Sequence, residues 1–118
     1  MKTLLSLTAT LLVAACASSP AELVATPPEM VHSSDKTAEA VAKCIDAKWE
    51  MTKVFGGTAS VETKQTEAGI RITQRTGGDP HFVALVTPRA NGSRTQLWKQ
   101  KVLAIGRIPQ VDDVVSCQ

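Results

Sequence analysis

Tyrosine is absent from this 118-residue chain, which has only two phenylalanines and two tryptophans. So few aromatic rings exclude the stacking platforms on which single-stranded nucleic acids bind. Charge of one sign is also missing: 13 basic residues oppose 11 acidic ones, a formal +2 at pH 7. A balance this close to neutral supplies no net field to recruit nucleic acid or anionic lipid. The sequence contains no G-x-S-x-G elbow, no G-x-G-x-x-G or G-K-[ST] phosphate loop and no C-x-x-C pair. These gaps remove the local signatures of an α/β hydrolase, a nucleotide site and a zinc or dithiol centre. Nor is there an apolar run of the roughly 20 residues that a membrane-spanning helix needs.

What is present begins with MKTLLSLTATLLVAACASSP. Lys2 makes a short positive segment, Leu4 to Val13 an apolar one, and Ala14 and Ala15 are small residues suited to a cleavage site. This is the plan of a secretory signal peptide over residues 1–15. The stretch Leu12-Val13-Ala14-Ala15-Cys16 resembles the lipobox of bacterial lipoproteins. That resemblance implies cleavage before Cys16, a diacylglyceryl thioether on its sulfur and acylation of the new amino group. It also implies a cell-envelope location, and Ala17 after the cysteine is similar to the pattern of lipoproteins sent to the outer membrane. A single myristoyl chain holds a protein to a bilayer only marginally, whereas several chains on one residue give lasting attachment.

Residues 16–33 then read as the lipidated cysteine and a flexible tether. Ser, Pro and small residues recur there without a period, and Pro27-Pro28 adds polyproline character. His32 falls in this segment and is expected to be solvated. The remaining 34–118 are close to the size at which a single core is marginal. Cys44 and Cys117 are the only cysteines in that part. In an exported chain they can form one disulfide, worth roughly 4 kcal/mol for a loop of about 74 residues. Two buried thiols, or a metal pair completed by His81, are the alternatives.

Hydrophobic periodicity predicts an α+β domain: an N-terminal helix, a four-stranded antiparallel meander and a short C-terminal helix, both helices on one sheet face. The first helix lies within 33–53, capped by Ser34 or Asp35, with Ala38, Val41, Ala42, Ile45 and Trp49 as its apolar stripe. Gly56-Gly57 closes it. Strands follow at 58–66, 69–75 and 81–88, the last being the most apolar and central. Asn91-Gly92 is a hairpin turn, and 93–105 returns as a long strand with a bulge. Pro109 opens the last helix, with Val111, Val114 and Val115 on its buried side. The helix with Cys44 and Lys48-Trp49-Glu50, the strand Val83 to Pro88, the turn Asn91 to Arg94 and the pair Cys117-Gln118 together resemble small uncharacterised lipoproteins of proteobacteria. That group implies no activity.

Candidate chemistry is sparse. Asp79-Pro80-His81 is the one place where histidine meets a carboxylate in sequence, and it reads as a turn entering a strand. Asp112 and Asp113 point about 100° apart on a helix and suit its dipole better than a shared substrate. Gly77-Gly78-Asp79-Pro80 reads as a loop. The stronger lead is a polar sheet face. Alternation places Arg71, Thr73 and Arg75 there with Glu62 and Lys64, joined by Arg94, Gln96 and Trp98 if their strand takes the matching phase. Arginine beside tryptophan is a common hot-spot composition. The expectation is therefore a non-catalytic binding or structural module of the envelope, without cofactor or metal. Its partner would be the membrane through Cys16 together with an envelope protein or peptidoglycan, and not nucleic acid. An inhibitor of an envelope-targeting enzyme such as lysozyme is the alternative, and a small hydrolase using His81 a third.

Overall fold

The segment Phe82-Val83-Ala84-Leu85-Val86 is apolar on both sides of the pleat, a pattern that demands cover on both faces of a sheet. The computed structural model, which describes residues 19–52, 59–76, 79–100 and 108–118, supplies that cover. The strand containing this run, β4 (Asp79–Arg89), lies at the centre of a five-stranded antiparallel sheet. Its neighbours are β3 (Gly69–Thr76) and β5 (Gly92–Lys99), and the edges are β2 (Ala59–Thr66) and β1 (Met30–Ser34). The spatial order is β1-β5-β4-β3-β2. The meander of four consecutive strands is thus present, and a fifth strand joins it through β5.

That fifth strand comes from the segment expected to be a tether. Met30 to Ser34 pair with Leu97 to Ser93, and the amide of Glu29 donates to the Leu97 carbonyl at 2.8 Å. Ahead of it, α1 (Pro20–Val24) is capped by Ser19, whose hydroxyl accepts from the Glu22 amide. Residues 20–34 are therefore part of the folded domain. His32 belongs to β1, opposite Thr95, and is half-buried with its Nε2 shielded from solvent. The reason is the free edge of β5: its backbone donors and acceptors need a partner, and an adjacent extended segment provides one.

The long helix α2 (Ala38–Met51) buries Ala38, Val41, Ala42, Ile45 and Trp49, the stripe that its periodicity predicts. Its cap is Thr37, whose Oγ1 accepts from the Ala40 amide at 3.2 Å. Ser34 is instead the end of β1, its hydroxyl accepting from the Lys36 amide in the connecting turn. The last helix, α3 (Pro109–Ser116), has Pro in its first turn. It buries Val114 and Gln110, while Val115 is 46% exposed, contrary to the expectation that it faces inward. Gln110 takes that place because its side chain has polar partners inside.

The inner face of the sheet carries Ile70, Ile72, Phe82, Ala84, Val86 and Leu97, packed against α2 and α3 in one core. A buried amide network crosses it. Gln74 Nε2 donates to the carbonyls of Trp49 (2.9 Å) and Thr52 (3.1 Å), and Gln74 Oε1 accepts from Gln110 Nε2 (3.1 Å). Trp49 Nε1 closes the circuit by donating to the Gln110 carbonyl at 3.2 Å. The final carbonyls of a helix lack intrahelical donors, and here a strand side chain supplies them.

Cys44 of α2 and Cys117, immediately after α3, form a disulfide with a Cα–Cα distance of 5.7 Å. It joins the two helices that cover the inner face. Gly92, at φ +135°, opens β5 where a Cβ would stand 1.9 Å from the Ser34 carbonyl oxygen, so the Asn91-Gly92 turn is closed by the one residue that fits. The β5 register against β4 is regular from Gly92 to Lys99, and the sheet's register shift is at Gln74/Arg75. Asp79 and Pro80, expected in a loop, instead begin β4, paired with Thr76 and Arg75, whereas Gly56-Gly57, Gly77-Gly78 and the continuation of the strand over 101–105 lie outside the described residues.

Candidate binding face

Antiparallel register decides which polar side chains share the outer face. Across the sheet, Lys64 lies opposite Arg71, Arg71 opposite Leu85, Leu85 opposite Gln96 and Gln96 opposite Val31. In the next row Glu62, Thr73, Val83 and Trp98 are neighbours in that order. Arg94 stands between Thr87 and Ser33. The strand phase therefore brings Arg71, Thr73, Arg75, Arg94 and Trp98 to one face. Cysteine 16 lies outside the described residues.

The face is not uniformly open, however. Leu23 of α1 packs with Val83, Leu85 and Trp98 into a second, smaller core. Trp98 is only 3% exposed, and its Nε1 donates to the Thr26 carbonyl at 2.7 Å. Thr73 is 1% exposed. Both are thus withdrawn from the expected contact surface, because the apolar centre of β4 attracts α1 and the indole fills the space beneath it. Arginine beside exposed tryptophan is not the composition of this face. What remains accessible is a basic rim: Lys64 is exposed, and Arg71, Arg75 and Arg94 are half-buried. Arg71 Nε and Thr73 Oγ1 are shielded without a hydrogen-bond partner.

The opposite layer differs in sign. In α2, Glu39, Asp46 and Glu50 oppose Lys43 and Lys48, and α3 adds Asp112 and Asp113. Asp46 and Glu50 are one turn apart. The hydrogen bond that the protonated Glu50 carboxyl donates to the Asp46 side chain, together with the Asp46 charge, holds Glu50 above its ordinary range, with a smaller contribution from desolvation. An open groove of about 430 Å³ runs between α2 and the inner side of β2 and β3, lined in part by Ala42, Ala47 and Ile70 beneath these carboxylates. Asp46 also accepts a hydrogen bond from Thr63 of β2. A second open groove, of about 580 Å³, lies beside the Asn91 turn and is lined in part by Ser33, Ser34, Asp35 and Ser93.

His81 is half-buried in β4, and its backbone carbonyl accepts from the Gln100 amide at 3.0 Å. Asp112 and Asp113 lie in the first turns of α3, where Asp113 Oδ2 accepts from Thr52 Oγ1 at 2.6 Å. Among the described residues, no group of three or more His, Cys, Asp or Glu side chains is placed to hold a metal ion. Among the same residues, no helix is long and apolar enough to cross a membrane. Comparison of the chain with protein-family models, with curated proteins and with solved structures finds no match to any of them.

Proposed function

We propose that this chain is a cell-envelope lipoprotein, anchored through fatty acylation of Cys16, and that its α+β domain is a non-catalytic binding or structural module. The observation that supports this most is the Cys44–Cys117 disulfide. A bond of this kind persists in an oxidising compartment, the destination that the N-terminal signal implies. It also consumes both cysteines of the domain and leaves Cys16 alone at the end of Leu12-Val13-Ala14-Ala15. An exposed thiol in such a compartment is a liability, and thioether formation removes it. The outer membrane is the proposed destination, and the basic rim of the sheet the surface for an anionic envelope partner.

Intact-mass measurement of the mature protein, purified from membranes with detergent, tests the anchor. The expected product begins at Cys16, carries the mass of a diacylglyceryl group plus an amide-linked acyl chain, and has no free thiol. A mature chain starting elsewhere, or an unmodified Cys16, overturns the reading.

A further inference from the structure

The distance between the anchor and the fold is set by covalent geometry. Only three residue steps separate Cys16 from Ser19, the cap of α1, and each spans at most about 3.6 Å, so the reach is about 11 Å. A flexible tether over 17–33 would have given an average separation of roughly 23 Å and a much longer maximum. That slack is absent because α1 is fixed to the sheet by Leu23 and by the Trp98–Thr26 hydrogen bond, and β1 is paired along its length.

The layer to which α1 is fixed is the basic one. Its outer face presents Lys64, Arg71, Arg75 and Arg94 against Glu62 and, on α1, Glu22, while α2 and α3 on the far side carry five carboxylates against Lys43 and Lys48. An 11 Å reach is about one Debye length at 0.1 M salt, so a bilayer holding Cys16 acts on this face and is screened from the other. Val31, 45% exposed on the same face, adds an apolar contact beside the cations.

We propose that the sheet face bearing α1 docks on the surface of the anchoring bilayer, with Lys64, Arg71 and Arg94 against anionic phospholipid headgroups. The acidic helices α2 and α3 then face the aqueous compartment. This orientation rests on the acylation of Cys16 proposed above. The anchor and the basic face are two signals of the kind that together give stable peripheral attachment.

The test uses the full mature lipoprotein reconstituted into vesicles of phosphatidylcholine alone, or of phosphatidylcholine with about a quarter phosphatidylglycerol. An amine-acylating reagent is added, and the modification rates of Lys64 and Lys43, both exposed, are read by peptide mass. On anionic vesicles Lys64 is expected to react about threefold or more slowly than on zwitterionic ones, with Lys43 unchanged. Raising salt to about 1 M is expected to abolish the difference. Arg94→Glu is expected to weaken it, and the salt arm gives the same information on the unaltered chain should that variant misfold. Equal Lys64 rates on both vesicles, or protection of Lys43 instead, overturn the docking while the acyl mass still stands. A mature chain without acyl groups overturns the anchor and the docking together.

Discussion

Replacing Cys44 and Cys117 by alanine should cost this domain most of its margin. The bond spans 73 residues of sequence. On the chain-entropy model, releasing that loop in the unfolded state lowers stability by roughly 4 kcal/mol. Small domains have net stabilities of about 5–15 kcal/mol, so the loss is a large fraction of the total. The structure adds a local term. Cys117 is fully buried in the inner core, and α3 is only eight residues long. Without the bond its docking depends on Val114, on the Trp49–Gln110 and Thr52–Asp113 hydrogen bonds and on Lys36 Nζ donating to the Cys117 carbonyl at 3.4 Å. The assay is urea denaturation in a Cys16→Ser background, so that no anchor thiol intervenes, followed by tryptophan fluorescence. Trp49 reports the inner core and Trp98 the outer one. The expected outcome is a loss of about 3–4 kcal/mol with both cores melting together. A loss below about 1 kcal/mol would refute the reasoning, because it would mean that the unfolded chain is already as restricted as the cross-linked one.

Three further outcomes follow from the interior and the helix surface. Gln74→Leu leaves the Trp49 and Thr52 carbonyls and the Gln110 amide without their partner and should destabilise by about 1–3 kcal/mol, measured by thermal unfolding. Trp98→Ala should cost about 3–5 kcal/mol, and amide exchange should rise in α1 before it rises in α2, since the indole is the floor on which Leu23 rests. Glu50→Gln should reduce the fall in stability at rising pH. The Glu50 carboxyl titrates above its ordinary 4.5 in the fold, so its proton-bound form favours folding; that contribution is full below 4.5 and is lost as pH rises through the folded value. Denaturation curves across the carboxylate range, compared between the two proteins, check the sign.

Local signals made α2, the meander and the Asn91-Gly92 turn legible, because each is written in periodicity over a few neighbouring residues. The disulfide was legible by counting cysteines, since Cys44 and Cys117 are the only two after Cys16 in a sequence whose first residues resemble an export signal. Residues 20–34 were not, and the reason is physical: α1 is too short to show a helical period, and β1 is extended only because the edge of β5 offers a ladder. The nearest available signal was Val83 and Leu85, apolar on the face assumed to be polar; two apolar positions there ask for a cover. Trp98 carried the same message. Its placement beside arginines suggested a contact surface, whereas bulk and a Thr26 carbonyl within reach made it the centre of a small core. Net charge conceals an asymmetry for a different reason. Summing over the chain gives a value near zero, while the fold separates cationic strands from carboxylate-rich helices. Val115, expected inside, is exposed while Gln110 is buried, because a glutamine whose amide is hydrogen-bonded to Gln74 is acceptable inside.

One amide at the junction of three elements has a consequence for how the domain opens. Gln74 belongs to β3, yet it closes the end of α2 and holds α3 through Gln110. Fraying of the helix terminus, ordinarily the easiest motion a helix has, here requires a sheet side chain to give up its bonds and the neighbouring helix to lift. The end of α2 and the whole of α3 should consequently exchange their amide hydrogens as one unit, at one free energy, while α1 on the far side exchanges on its own terms.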